Sequence, residues 1–540
     1  MKQLYLVLLS IFIALQIFPC TNLIVTKGAS KDGSAFLVYT NDGEWLYRLS
    51  NKPAADHAPG DSLTFRSGRN QVEGKIHQVP HTYAVVGFQM NEHQLAVGET
   101  TFTGREELWN RSKYLQYWHL MSLALERAKT AREAVEVITS IVEQYGYGSE
   151  GESFSLVDPN EAWILEMVGT GTGGEGAIWV AMKIPDGMIS AHANMARIGE
   201  FPLDDPENCL YSDNVISFAI QKGYYDPASG EPFRFNEVYN PTTPDRLRYC
   251  ESRVWSLFRR AAPAENFSAD YHRGVKGAKR YPLWIEPDEK LSLQDVMALV
   301  RDHYEGTEFD MTKGLEAGPF GTPNRWRPLY WDDEDGKRHS WERPISTYNT
   351  CFSFIGQMRS DYPDHVGGVC WFGVDDTYFT CYVPIFAGNT SVPEPFTKGD
   401  INKFSWDSMW WAFNFVSNFA NLKYAYMIED IRQVQSVLEG EMIRQADSIS
   451  TALAGMPKDK QVEKLTAFSN QWGEKVHAEW IKLGEHLLTK YNDGYVKDEN
   501  GKINEVGYPD AWMQQINDLY PHKFRIPDWD SGKKQNDLPY

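Results

Sequence analysis

The stretch Cys20–Asp42, CTNLIVTKGASKDGSAFLVYTND, decides how the rest of the chain is read. Leu23, Ile24 and Val25 form an apolar run, Gly28, Ser30, Asp32 and Gly33 a turn, and Ala35 to Tyr39 a return run, so the pattern predicts a hairpin with Cys20 at its open end. Antiparallel strands of matched length bring their outer ends together, which places Asp42 beside Cys20. Upstream lie Lys2, an apolar run from Leu4 to Phe18 interrupted only by Ser10 and Gln16, and then Pro19: the charged start and apolar middle of a secretory signal. Cys20 is therefore a candidate mature N terminus. The α-amine of an N-terminal cysteine, with an ordinary pKa of about 7.7–8.0, can take the proton of its own thiol, so nucleophile and base would be one residue. A carboxylate at Asp42 would then hold and charge the α-ammonium.

Composition narrows the alternatives. With 540 residues, 42% of them hydrophobic, the chain can bury a large core. A net charge of −20 opposes binding to nucleic acid, whose phosphates it would repel. The Leu4–Phe18 run is shorter than the roughly 20 residues of a membrane span, and no later stretch comes closer. Export permits disulfides, and Cys209, Cys250, Cys351, Cys370 and Cys381 are an odd number, so at least one stays free. No metal or cofactor is called for. His77 and His81 have zinc-helix spacing, but Pro80 lies between them and the glutamate of HExxH is missing.

Along the chain, Tyr83–Gln89 reads as a buried strand, Met90–His93 as a turn presenting Asn91, and Leu95–Val97 as another short strand. Two helices follow. One runs from Leu108 to Leu125, and the second opens on a capping box, Thr130 with Glu133, and closes at Gly146. Strands return at 154–157, 162–168, 177–184 and 188–193, which implies sheets covered by helices on their outer faces. Residues 202–251 read as a loop-rich insertion, and Arg253 begins a helical pattern, ESRVWSLF. Ser292 with Asp295 caps a further helix through Arg301. Strands resume over 345–358, 367–374 and 377–384, with the acidic cluster at 332–335 between them and the preceding helix read as a hairpin tip rather than a metal site. From Phe404 to about His486 the pattern is helical, and 492–540 reads as an irregular tail.

The Cys20–Asp42 stretch resembles peptidase family C69, dipeptidases of the N-terminal-nucleophile hydrolase type related to penicillin V acylase and bile salt hydrolase. Further segments carry the resemblance: GFQMNEHQLAVGETTFTGREEL, AWILEMVG, AIWVAMKIPDGMISAHANMARI and RDHYEGTEFDMTKGLEAGPFGTPNRW. The resemblance implies an α+β fold, the four-layer αββα sandwich, over residues 20–400, with a helical extension over 401–540 and a leader over 1–19. It implies that Cys20 is the nucleophile, that Asn91 and Asn194 bind the oxyanion, that Arg253 stands near the nucleophile, and that Glu99 and Arg197 contact substrate. Read from the sequence alone, Asn91 is a left-handed turn residue, His192 is structural, and the 301–326 segment is either a substrate-facing loop or a Gly/Pro bend. Many relatives carry an arginine three residues before the aspartate that matches Asp42, where this chain has Tyr39. Its work falls to another group here, with Arg197 and Arg253 as candidates.

The function expected from this reading is a cysteine dipeptidase acting on small peptides outside the cytoplasm; oligomeric state stays open. An acylamide hydrolase of the penicillin or bile-acid type is the alternative within the enzyme class. The alternative class is a lipid-anchored binding protein, because Ile17–Cys20 stand where a lipobox would. Pro19 fits poorly both there and at an ordinary signal-peptidase site, which favours self-cleavage or another protease.

Overall fold

The computed structural model describes residues 20–66 and 69–526, so the leader expected over 1–19 lies outside the described residues. Strands β1 (Cys20–Val25) and β2 (Ala35–Asp42) form the expected hairpin, and every residue of both is buried. Such continuous burial marks strands covered on both faces rather than one. Later strands are β3 (Ala96–Thr103), β4 (Gly151–Val157), β5 (Ala162–Val168), β6 (Ile178–Lys183), β7 (Ile189–His192), β8 (Thr350–Met358), β9 (Val369–Val374) and β10 (Val383–Phe386). They build two antiparallel sheets. The first runs Trp284–Ile285, β7, β1, β2, β8, β9, β10; the second runs Cys209–Tyr211, β6, β5, β4, β3, then three two-residue strands.

The sheets pack face to face through β1 and β2 against β3. Gly98 lets them approach: a Cβ there would stand 2.5 Å from Asn22 Oδ1 and 3.2 Å from Tyr39 Cβ. Helices α1 (Tyr117–Arg127) and α2 (Ala131–Tyr145) cover the second sheet. Helix α3 (Pro244–Ala261) covers β7, and α5 (Met409–Ala420), α6 (Tyr424–Ala452) and α7 (Lys458–Lys490) cover β9 and β10, while α4 (Leu293–Val300) packs on α3. The result is the αββα sandwich, with a C-terminal helical region added to its outer layer. Among the described residues no helix is long and apolar enough to cross a membrane.

Several local expectations need correction. The 202–251 segment is not chiefly loop: it holds the strand Cys209–Tyr211, the helices Val215–Gln221 and Phe235–Tyr239, and the first turns of α3, anchored by buried Val215, Ala219, Phe235 and Tyr239. The first helix begins only at Tyr117. Of 83–89 only Val85–Val86 pairs as strand, and the last strand begins at Val383 because Phe379 and Thr380 turn back onto the Asp376 carbonyl. Before its end falls outside the described residues, the tail carries a small hairpin, Val496–Lys497 with Ile503–Asn504, and the helix Asp510–Leu519. All six cysteines are buried, and none is in a disulfide.

Candidate active site

Cys20 opens β1, an inner strand of the first sheet, and is 1% exposed. In the β1–β2 register it stands opposite Asn41, and directly opposed residues of an antiparallel pair project to the same face. Asn41, not Asp42, therefore flanks the thiol, with Nδ2 donating to Sγ at 3.6 Å. Asp42 projects to the other face. There it forms a buried ion pair with Arg343 and accepts from Thr350 Oγ1 at 2.7 Å, so the expected contact between Asp42 and the Cys20 nitrogen is replaced by a one-residue register effect. A bulge between Thr350 and Phe352 of β8 falls opposite this same pair of residues, a common device beside functional sites.

The Cys20 backbone is held on both sides of its Cα. Its nitrogen donates to Asn194 Oδ1 at 3.1 Å, and Arg253 Nη1 donates to its carbonyl at 2.6 Å. Asn194 follows β7 with φ +61°, a left-handed conformation that asparagine tolerates better than most residues. Its Nδ2 donates to Thr101 O on β3 at 2.8 Å, tying the site to the second sheet. Arg253 is fully buried in α3. It also donates to Thr21 Oγ1 (3.0 Å), Asn194 Oδ1 (3.0 Å), Ala193 O (3.2 Å) and Tyr249 O (3.3 Å), so its charge is met by carbonyl, amide and hydroxyl oxygens.

On the thiol side, Sγ donates to Glu99 Oε1 at 3.3 Å, and Tyr39 OH lies 3.9 Å from Sγ while donating to the same carboxyl oxygen. Asn41 Nδ2 donates to Tyr39 OH at 2.8 Å, and Trp45 Nε1 fixes Asn41 Oδ1 at 3.1 Å. Burial first, and then the charges of Glu99 and Glu152, push the Cys20 thiol well above the usual cysteine range. A base is needed to make a thiolate here.

The structure thus gathers Cys20, Asn194, Arg253 and Glu99, and sets others apart. Asn91 donates from Nδ2 to Leu125 O and Ala128 O, both at 2.8 Å, and its Oδ1 accepts from the nitrogens of His93 and Leu95, so both amide hydrogens serve the α1–α2 connection. Arg197 binds the carbonyls of Ala191, Tyr281 and Pro282 and pairs with Glu251, away from the thiol. His192 lies between Thr100 Oγ1 and Ser155 Oγ, each 2.7 Å away, and burial pushes its pKa down to about 3.

Sequence reasoning missed Arg343, Asn41 and Glu152. Asn41 follows once the β1–β2 register is known, and the sequence does not show that register. Arg343 was not readable either, since nothing local in ERPIS announces that its guanidinium reaches a carboxylate 301 positions earlier; this buried cation answers to Asp42 in a chain with tyrosine at position 39. Arg343 also lines a small cleft with Arg325, Arg327, Asn324, Glu342 and Tyr348. Met311 and Pro323 line it too, so part of the 301–326 segment faces this opening.

Fold and site together define an αββα sandwich protein with a buried thiol at the head of an inner strand. The chain belongs to peptidase family C69, whose model matches residues 19–437, and it is a peptide hydrolase. It is 27% identical over 409 residues to a probable dipeptidase of Salmonella dublin, covering 72% of this chain and 85% of the relative. It is 27% identical over 408 residues to a probable dipeptidase of Latilactobacillus sakei, covering 71% and 77%. With probable dipeptidase B of Streptococcus pyogenes serotype M1 it shares 24% identity over 518 residues, covering 91% and 97%.

Proposed function

We propose that the chain is a cysteine dipeptidase that acts after export and removal of residues 1–19, with Cys20 as nucleophile and its own α-amine as base. The observation that carries this reading is the grip on Cys20: Asn194 Oδ1 on its nitrogen and Arg253 on its carbonyl fix the residue at two points and leave Sγ as the one part aimed at Asn41 and Glu99. In the 540-residue chain that nitrogen is a peptide amide and no base. Cleavage before Cys20 makes it an amine within reach of its own sulfur.

The amine takes the thiol proton, and the thiolate adds to the scissile carbonyl. Collapse of the adduct breaks the C–N bond as the ammonium returns the proton to the leaving amine, and water then hydrolyses the thioester to restore the thiol. Asn41, whose Nδ2 lies 3.6 Å from the sulfur, and Asn194, bonded to the Cys20 nitrogen, are the candidates to bind the oxyanion. Arg325 and Arg327 against one carboxylate, Glu342, with Arg343 already paired to Asp42, give the cleft a positive lining suited to the C-terminal carboxylate of a short peptide. That lining and the relatives' names favour dipeptides over acyl-drug or bile-acid amides.

The test is intact-mass analysis of the purified protein together with turnover of a dipeptide panel and of N-acylated amides. The reading requires a free Cys20 amine and loss of dipeptide hydrolysis on alkylation of that thiol. A lipid-modified or otherwise acylated Cys20 amine in fully active protein would overturn it.

A further inference from the structure

Among the described residues, two carboxyl groups meet beside the thiol without a cation between them. Glu99 and Thr101 share a face of β3, and Glu152 of β4 stands opposite Thr101, so Glu99 and Glu152 are diagonal neighbours on the face turned toward the first sheet. Both are fully buried. Glu99 Oε1 accepts from Tyr39 OH and Cys20 Sγ, and Glu152 Oε2 accepts from Thr101 Oγ1 at 2.9 Å. Among the described residues, Glu99 Oε2 and Glu152 Oε1 have no donor, and neither carboxyl forms an ion pair. The titratable groups that interact with them are Cys20 and Tyr39 from the first sheet, Tyr117 from α1, and Tyr147 and Glu150 beside β4, none of them a cation at neutral pH; Arg246 and Arg111 act on Glu150 beyond them. Burial pushes both glutamates up, and repulsion by Glu99 adds to this for Glu152, so the arrangement favours one proton on the pair over two bare carboxylates.

The spacing from the sulfur identifies what replaces that proton. In a substrate with a free amino terminus, the α-nitrogen lies two bonds from the first carbonyl carbon, about 2.5 Å away by standard backbone dimensions. A thiolate attacks that carbon from roughly 3–3.5 Å. The substrate's ammonium must then sit within a few ångströms of Sγ, the zone that Glu99 Oε1 occupies at 3.3 Å. We propose that Glu99 and Glu152 together form the receptor for the substrate's α-ammonium, which enters as the shared proton leaves. Charge balances: one proton held between two carboxyls gives −1, and one ammonium between two carboxylates with the proton released to solvent also gives −1. The inference rests on Cys20 being the nucleophile, and it assigns Glu152, 53 residues from Glu99, to substrate specificity.

The test is calorimetric binding of a non-hydrolysable ketomethylene dipeptide isostere, free-amine and N-acetylated, to mature wild-type enzyme and to the Glu99→Gln and Glu152→Gln variants. Titrations in phosphate and in Tris, whose ionisation enthalpies differ, count protons released. Wild type is expected to prefer the free amine by at least 10²-fold and to release up to one proton. Each variant is expected to lose most of that preference and the proton release. Glu152→Gln does not touch the sulfur, so it keeps the test decisive if Glu99→Gln misfolds. Unchanged preference in folded Glu152→Gln overturns the proposal. So does an equal loss of kcat toward substrates with and without an α-amine, which would mean that the pair serves Cys20's own ammonium. Failure of the Cys20 reading looks different: Cys20→Ser would retain turnover while the glutamate-dependent preference stayed intact.

Discussion

Replacing Arg253 by methionine tests the clamp on Cys20 most directly. The side chain is fully buried, and its fork holds Cys20 O, Thr21 Oγ1, Ala193 O and Asn194 Oδ1, the same Asn194 oxygen that receives the Cys20 nitrogen. Methionine fills much of the volume and supplies no donor. Three buried acceptors, the two carbonyls and the Asn194 amide oxygen, then lose a charged partner, and at about 1–2 kcal/mol each the stability loss comes to about 3–6 kcal/mol. Relief of the desolvated guanidinium offsets part of this and places the expected value near the lower end. Cys20 is loosened as well, and for the proposed nucleophile a displacement of about 1 Å costs on the order of 10²-fold in rate. Guanidinium chloride unfolding followed by tryptophan fluorescence reads the first quantity, and kcat/KM per folded molecule reads the second. Arg253→Lys keeps the charge without the planar fork and is expected to fall between methionine and wild type. A methionine variant that loses under about 1 kcal/mol and stays within threefold of wild-type kcat/KM would refute the clamp.

Other substitutions separate catalytic from structural roles. Cys20→Ser should fold normally yet lose nearly all dipeptide hydrolysis, because an alkoxide forms far less readily than a thiolate with an amine of pKa about 8 as base; ordinary turnover would sink the mechanism. Asp42→Asn leaves the buried Arg343 cation without its carboxylate and should destabilise by about 3–5 kcal/mol in denaturant titration, whereas a shifted pH–rate profile at unchanged stability would return Asp42 to the amine. Asn91→Ala orphans the Leu125 and Ala128 carbonyls, so thermal stability should drop while kcat per folded molecule stays near wild type; a 10²-fold kcat loss would make it an oxyanion donor after all. His192 is held near pKa 3 against about 6.5 when unfolded, so the unfolded chain binds the extra proton between those values and stability falls as pH drops below about 6.5. His192→Gln should flatten that acid slope by up to about 1.4 kcal/mol per pH unit, read by denaturant titration from pH 4.5 to 7.

Much of the site was legible because its core is local. Cys20, the β1–β2 hairpin and the strand leading to Asn194 all follow from apolar runs and turn residues a few positions apart, and the resemblance to family C69 rested on those same segments. Asp42 was misread for a specific reason. A sequence shows that two strand ends meet but not their register, and a shift of one residue turns a side chain to the other face, which put Asn41 beside the sulfur instead. Asn91 was misplaced because its partners, the carbonyls at the end of α1, lie more than thirty residues away.

The sequence by itself determined the alternation of strand and helix, the candidate nucleophile and the family, since these depend on residue type and spacing along one chain. Only the tertiary structure decided which charges share a site. Arg343 reaches Asp42 across 301 residues, Arg253 reaches Cys20 across 233, and Glu152 meets Glu99 because β3 and β4 pair in one register. Burial then sets the energetics of each pairing, since a charge removed from water must find a partner wherever the fold places one, and linear distance has no part in that choice.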